Sequence, residues 1–167
     1  MENVRAKRKC PRIPVYLDVR IDLKDGTKVK GKVINLSTEG ICVKTDDPIF
    51  AEEEITAEFL LPDTLNSVRL GGEVVWYRFD TKAAEKEERV HFSGVRFLDL
   101  GESYRSLIRY YTLKMLYDVE LVREQGIERV LSDVLNLPPK ERATALSILT
   151  QKGLITNKQR ADLSRSG

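Results

Sequence analysis

Apolar and polar residues alternate from Val15 onward. Val15, Leu17, Val19, Ile21 and Leu23 fall on one side, and Tyr16, Asp18, Arg20 and Asp22 on the other. A period of two marks a strand with one buried face. Asp25-Gly26 follows, a hairpin signal, because glycine takes positive φ without steric cost. Val29, Gly31 and Val33 carry the period into a second strand. Residues 35–40 read as a turn of Asn, Ser, Thr and Gly, and Ile41, Val43 and Thr45 mark a third strand. After the break at Asp46-Asp47-Pro48, Ile55, Ala57, Phe59 and Leu61 predict a fourth strand, closed by Pro62-Asp63. Residues 68–79 predict a fifth, with Val74 and Trp76 on one face and Val75 and Tyr77 on the other. Residues 80–89 read as a charged, exposed loop, and 90–98 as a sixth strand. Six short strands joined by turns predict an antiparallel barrel, since closure leaves no strand edge unpaired.

Beyond Gly101 the period lengthens. Tyr104, Ile108, Tyr111, Met115, Val119 and Val122 advance by three or four positions. That spacing predicts one amphipathic helix over 101–125, about 35 Å long. Gly126 fits the position after its last turn. Ile127, Val130, Leu131, Val134 and Leu135 predict a second helix. Pro138-Pro139 ends it and opens a third, which Gly153 stops. Thr156-Asn157-Lys158-Gln159 has the form of a capping box for a last helix. The expected organisation is an arm over 1–12, a barrel over 13–100, a long helix over 101–125 and a helical tail over 126–167. The helical stripes are read as core or as a self-association surface, which makes a homo-oligomer through the C-terminal helices an expectation.

Charge changes the picture at one end. Arg5, Lys7, Arg8, Lys9 and Arg12 face only Glu2, a net of +4 in the first 14 residues of a chain whose formal net charge is +2. A basic arm on a nearly neutral body points to an anionic partner met locally. It argues against a duplex-binding protein with a broad basic face. No run of about 18 apolar residues predicts a membrane-spanning helix, and no signal-peptide pattern stands at the N-terminus, so the expectation is a cytoplasmic protein without membrane insertion. Cys10 and Cys42 have no CxxC spacing and no histidine placed to share a metal, so they read as reduced thiols. His91, the sole histidine, falls in a strand-like run and reads as structural. No nucleophile–base pair, metal signature or Gly-rich phosphate loop is visible, so no catalytic residue, metal or cofactor is assigned.

Two short motifs carry the chemistry. Arg8-Lys9-Cys10-Pro11-Arg12 is an RxxxR before the first strand, and Asn35-Leu36-Ser37-Thr38-Glu39-Gly40 is an NxSxxG between the second and third. Taken singly, a basic terminus is usually a solvated tail, and NxSxxG is usually a tight turn. Together, in this order, they resemble the PilZ family, whose signature is RxxxR followed by [D/N]xSxxG. Ile13-Pro14-Val15 and Gly94-Val95-Arg96-Phe97 extend the resemblance, which covers about residues 5–115. It implies a six-stranded barrel that binds cyclic di-GMP and relays its presence to an effector protein.

The residue chemistry agrees with that implication. A guanidinium can bond guanine O6 and N7 together, pair with a phosphodiester, or stack on a purine. Arg8 and Arg12 are therefore assigned to guanine and phosphate contacts, with Arg5 and Lys7 as auxiliary candidates. Asn35 offers an acceptor and a donor to the guanine edge, and Ser37 a hydroxyl for a base or backbone contact. Gly40 lets the backbone bend and leaves room. Asn35 lacks the charge-assisted contact to guanine N–H that an Asp would give. Two rivals stand beside this reading: a ligand-independent scaffold of the same fold, and an RNA-binding barrel. The second would display aromatic residues on the barrel's outer face, whereas the pattern here sends most aromatics inward or onto helices.

Overall fold

A computed structural model describes residues 10–62, 66–80 and 90–165. Six strands form in chain order: β1 (Ile13–Leu23), β2 (Lys28–Leu36), β3 (Gly40–Thr45), β4 (Glu54–Leu61), β5 (Asn66–Asp80) and β6 (Val90–Phe97). All pair antiparallel, in the spatial order β1-β2-β3-β6-β5-β4, and β4 pairs with β1 to close the barrel. The predicted hairpin is present. Gly26 takes a φ of 87°, Leu23 N–H donates to the Thr27 carbonyl at 2.8 Å, and the Asp25 carboxylate accepts from Thr27 N–H at 2.8 Å.

The alternating residues fill the interior. Val19, Ile21, Val29, Val33, Ile41, Val43, Ile55, Ala57, Phe59 and Leu61 are all buried, as are Val68, Leu70, Val74 and Val95. Burying such side chains is worth about 1.5–3 kcal/mol each. The predicted alternation therefore accounts for the barrel core. His91 is buried too, and its Nδ1 lies 2.7 Å from the Tyr77 hydroxyl.

The differences from the sequence reading come from local register shifts. β1 begins at Ile13 rather than Val15, and Asn35 and Leu36 still belong to β2, so the turn is shorter than expected. Ile34 is an extra residue against β3, and Val75 is an extra residue against β6. One extra residue reverses the parity of everything beyond it. Val74 pairs with Val95 and is buried, while Trp76 pairs with Gly94 and is 39% exposed. Val74 and Trp76 therefore lie on opposite faces, and the expectation of a shared face is corrected.

Five helices follow: α1 (Glu102–Leu116), α2 (Val119–Gln125), α3 (Ile127–Leu135), α4 (Pro139–Gln151) and α5 (Asn157–Arg165). The stripe that reads as one helix over 101–125 is thus divided between α1 and α2. Asp118 stands where α2 starts, a residue type that favours helix entry, and Val122 N–H donates to its carbonyl at 2.9 Å. Lys152 Nζ donates to the carbonyls of Lys114 and Tyr117, 3.0 Å each, and so caps the end of α1. Gly126 and Gly153 both take positive φ. The capping box forms as predicted: Gln159 N–H donates to Thr156 Oγ1 at 3.2 Å, and Thr156 N–H to Gln159 Oε1 at 2.8 Å.

The described chain divides into two compact units, one of residues 12–105 and one that holds the helices from Ser106 onward. The second has its own apolar core, in which Leu113, Tyr117, Val122, Val130, Val134, Ala145, Leu146, Ile148, Leu149 and Ile155 cluster. Arg109 and Glu141 form a buried ion pair beside it, Nε to Oε1 at 3.1 Å. No described helix is long and apolar enough to cross a membrane.

Candidate functional site

Strand pairing builds the floor of the site. Pro14 pairs with Asn35, Asn35 with Cys42, Cys42 with Gly94, and Gly94 with Trp76. Paired residues share a face, so these five form one row across the outer wall of the barrel. The row ends shallow because Gly94 has no side chain. A Cβ there would lie 2.0 Å from Trp76 Nε1, so the indole lies directly on the Gly94 backbone. The next outward row pairs Gly40 with Arg96 and Arg96 with Glu73, which hold an ion pair.

Above this floor is a cavity of about 660 Å³, lined by Arg12, Asn35, Gly40, Cys42, Trp76, Asp99 and Arg105 among others. The volume falls in the range of small-molecule sites. All of these residues belong to the 12–105 unit. Arg12 is exposed at the start of β1, and Arg105 stands in the first turn of α1. Burial pushes the Cys42 thiol up from its ordinary pKa, and the Arg78 and Arg12 guanidinium charges oppose that rise. Arg78 lies 5.8 Å from the Trp76 ring centre and 5.0 Å from that of Phe92, on the same outer face.

The structure thus brings Arg12, Asn35 and Gly40 to one cavity. Ser37 is buried, and its hydroxyl serves the turn itself. Oγ accepts from Glu39 N–H and Gly40 N–H at 3.2 Å each and donates to the Gly40 carbonyl at 3.2 Å. Gly40 is required for a reason the motif does not show: a Cβ would lie 2.1 Å from the Val95 carbonyl oxygen, where β3 and β6 meet. Arg8, Arg5 and Lys7 lie outside the described residues. Both cysteines are thiols, and no group of metal-ligating side chains occurs among the described residues.

Sequence reading missed Trp76, Gly94, Cys42, Arg96, Asp99 and Arg105. Tyr16 is exposed on the barrel wall, as its place on the polar side of β1 predicts, whereas the exposure of Trp76 departs from its expected grouping with the buried Val74. The available signal was the one tryptophan of the chain on a strand whose neighbour carries Gly94, but Val75 conceals the pairing that joins them.

A closed antiparallel barrel with a cavity against its outer wall defines the class of protein. The PilZ domain family model matches residues 6–114, and the chain belongs to that family. Solved structures share the fold. The PilZ domain of Escherichia coli YcgR, solved with c-di-GMP, is 11% identical over 71% of this chain and 97% of its own, with a TM-score of 0.53. The Bacillus subtilis inhibitor of motility, MotI/DgrA, is 18% identical over 66% of this chain and 51% of its own, at 0.54. The K. pneumonia MrkH–c-di-GMP complex is 16% identical over 71% and 55%, also at 0.54. The chain spans about half the length of the latter two, and at these identities the likeness is one of fold. No curated protein matches the sequence significantly.

Proposed function

We propose that this chain is a receptor for c-di-GMP that acts by binding, with no catalytic step of its own. The observation that carries the reading is the meeting of Arg12, Asn35 and Trp76 at one cavity of a PilZ-family barrel. The family's solved members YcgR and MrkH carry c-di-GMP. Each cavity group suits a part of that ligand. The guanidinium of Arg12 pairs with a phosphodiester or bonds guanine O6 and N7, the Asn35 amide meets a guanine edge, and the Trp76 indole offers a stacking face. Gly94 leaves room for the indole against the strand, and Cys42 is the small side chain beside it in the row.

In this reading Arg8 closes the site from the N-terminal arm, with Arg5 and Lys7 in support. The ligand's two negative charges offset the arm's repulsion, and ordering the arm over the ligand creates the surface that an effector protein meets. Ordering costs conformational entropy, which the arginine contacts and stacking must exceed.

The test is calorimetric titration of the full chain with c-di-GMP beside Arg8→Ala and Arg12→Ala. Loss of one bidentate guanidinium contact weakens binding by about 1–3 kcal/mol. Wild-type chain that fails to bind sinks the receptor reading, and unchanged affinity in both variants sinks the assigned site. NMR relaxation of residues 1–12 with and without ligand tests the arm, whose backbone is expected to stiffen on binding.

A further inference from the structure

Guanine shows a partner two adjacent donors, N1–H and the 2-amino group, beside the O6 acceptor. A neutral amide such as Asn35 matches that edge in part. A carboxylate accepts from both donors at once, with charge assistance. Two acidic residues are among those that line the cavity, Glu39 and Asp99. Neither makes a side-chain hydrogen bond or ion pair among the described residues.

Their settings differ. Asp99 holds a φ of 48°, in the left-handed region, where Asp is one of the few non-glycine residues to settle readily. The chain is tied down just before it: Phe97 N–H donates to the Glu39 carbonyl and Leu98 N–H to the Gly71 carbonyl, both at 2.9 Å. Just after it, Leu100 is buried. With the backbone fixed on both sides, two side-chain torsions place the Asp99 carboxylate. Both residues are exposed, and Glu39, in the 37–40 turn, has a third side-chain torsion to fix.

We propose that Asp99 is the guanine-selecting residue of this cavity. Its carboxylate accepts the N1–H and 2-amino donors of one guanine, the contact that Asn35 cannot supply as a charged group. Adenine would turn an N1 lone pair toward the same carboxylate and be repelled, so the residue also rejects the wrong purine. This inference rests on the reading of the cavity as a c-di-GMP site.

The experiment compares wild type, Asp99→Asn and Glu39→Gln by calorimetric titration. The ligands are c-di-GMP and the cyclic dinucleotide with hypoxanthine in place of both guanines, which keeps N1–H and O6 and lacks the 2-amino group. Wild type is expected to favour the guanine ligand on the order of tenfold, and Asp99→Asn to bring the two within about threefold. Glu39→Gln is expected to keep the wild-type preference. Asparagine preserves shape and tolerance of the left-handed backbone, and Asp99→Gly is a second variant that preserves the backbone without any side-chain carbonyl at the site. Wild type that binds neither nucleotide defeats the c-di-GMP reading itself. Wild type that binds both equally, an Asp99 variant that retains the full preference, or its loss in Glu39→Gln overturns the role given to Asp99 alone.

Discussion

Two glycines at the site are required by different neighbours, and the difference is testable. The obstacle at Gly94 is the Trp76 side chain, which can swing away on an exposed wall; the obstacle at Gly40 is the Val95 backbone, which cannot. Gly94→Val is therefore expected to leave the barrel folded, expel the indole and reduce c-di-GMP affinity about tenfold or more, since one stacked base is worth about 1–3 kcal/mol. The emission of Trp76, the chain's one tryptophan, reports the displacement directly. Gly40→Ala is expected to cost about 2–3 kcal/mol of stability in urea unfolding, as forced overpacking does. Arg12 and Asn35 were legible because motif chemistry is local. Trp76 was not, because a bulge at Val75 flips the strand and no local signal announces it. Asp99 escaped for a related reason: its backbone conformation is set by bonds from Phe97 and Leu98 to partners far along the chain, so the residue type alone says little.

Elements whose ends are marked by local chemistry were read correctly, and those ended by distant groups were not. The hairpin at Asp25-Gly26, the glycines at 126 and 153 and the Thr156–Gln159 box are all closed by residues within a few positions. The division of α1 from α2 depends in part on Lys152, which reaches 35 positions back to the Tyr117 carbonyl. The apolar stripe runs through the division unchanged, because both helices supply the same core. Thr156→Ala removes the box that opens α5. The expected loss is about 1 kcal/mol, seen as faster amide exchange across 157–165 with the barrel amides unaffected.

At the scale of the molecule, two units carry two cores, and their stabilities answer to different conditions. Tyr117 in the helical core has its phenol pushed up to about 12, first by burial and then by the Asp133 charge. In the unfolded chain the phenol ionises near 10. Between those values the unfolded state has lost a proton that the folded state keeps, so stability falls as pH rises from about 10 to 12, by up to about 2–3 kcal/mol. Below pH 10 the contribution is intact. Thermal unfolding followed at 222 nm is expected to shift downward over that interval, and Tyr117→Phe to lose most of the shift. The two-unit division itself was only partly readable. The change from period two to period three or four placed the helices, but the unit boundary falls inside α1, between Arg105 and Ser106, where the helical period continues without a break.

Closure of the barrel limits what any effector can do with it. Each of the six strands already has a neighbour on both sides, so an incoming peptide finds no open backbone edge along which to lay an added strand. Recognition must run through side chains, and a helix or loop seated on the wall is the geometry that remains. A partner that used this wall would be chosen by surface substitution, with the hydrogen-bonded ring beneath left as it is.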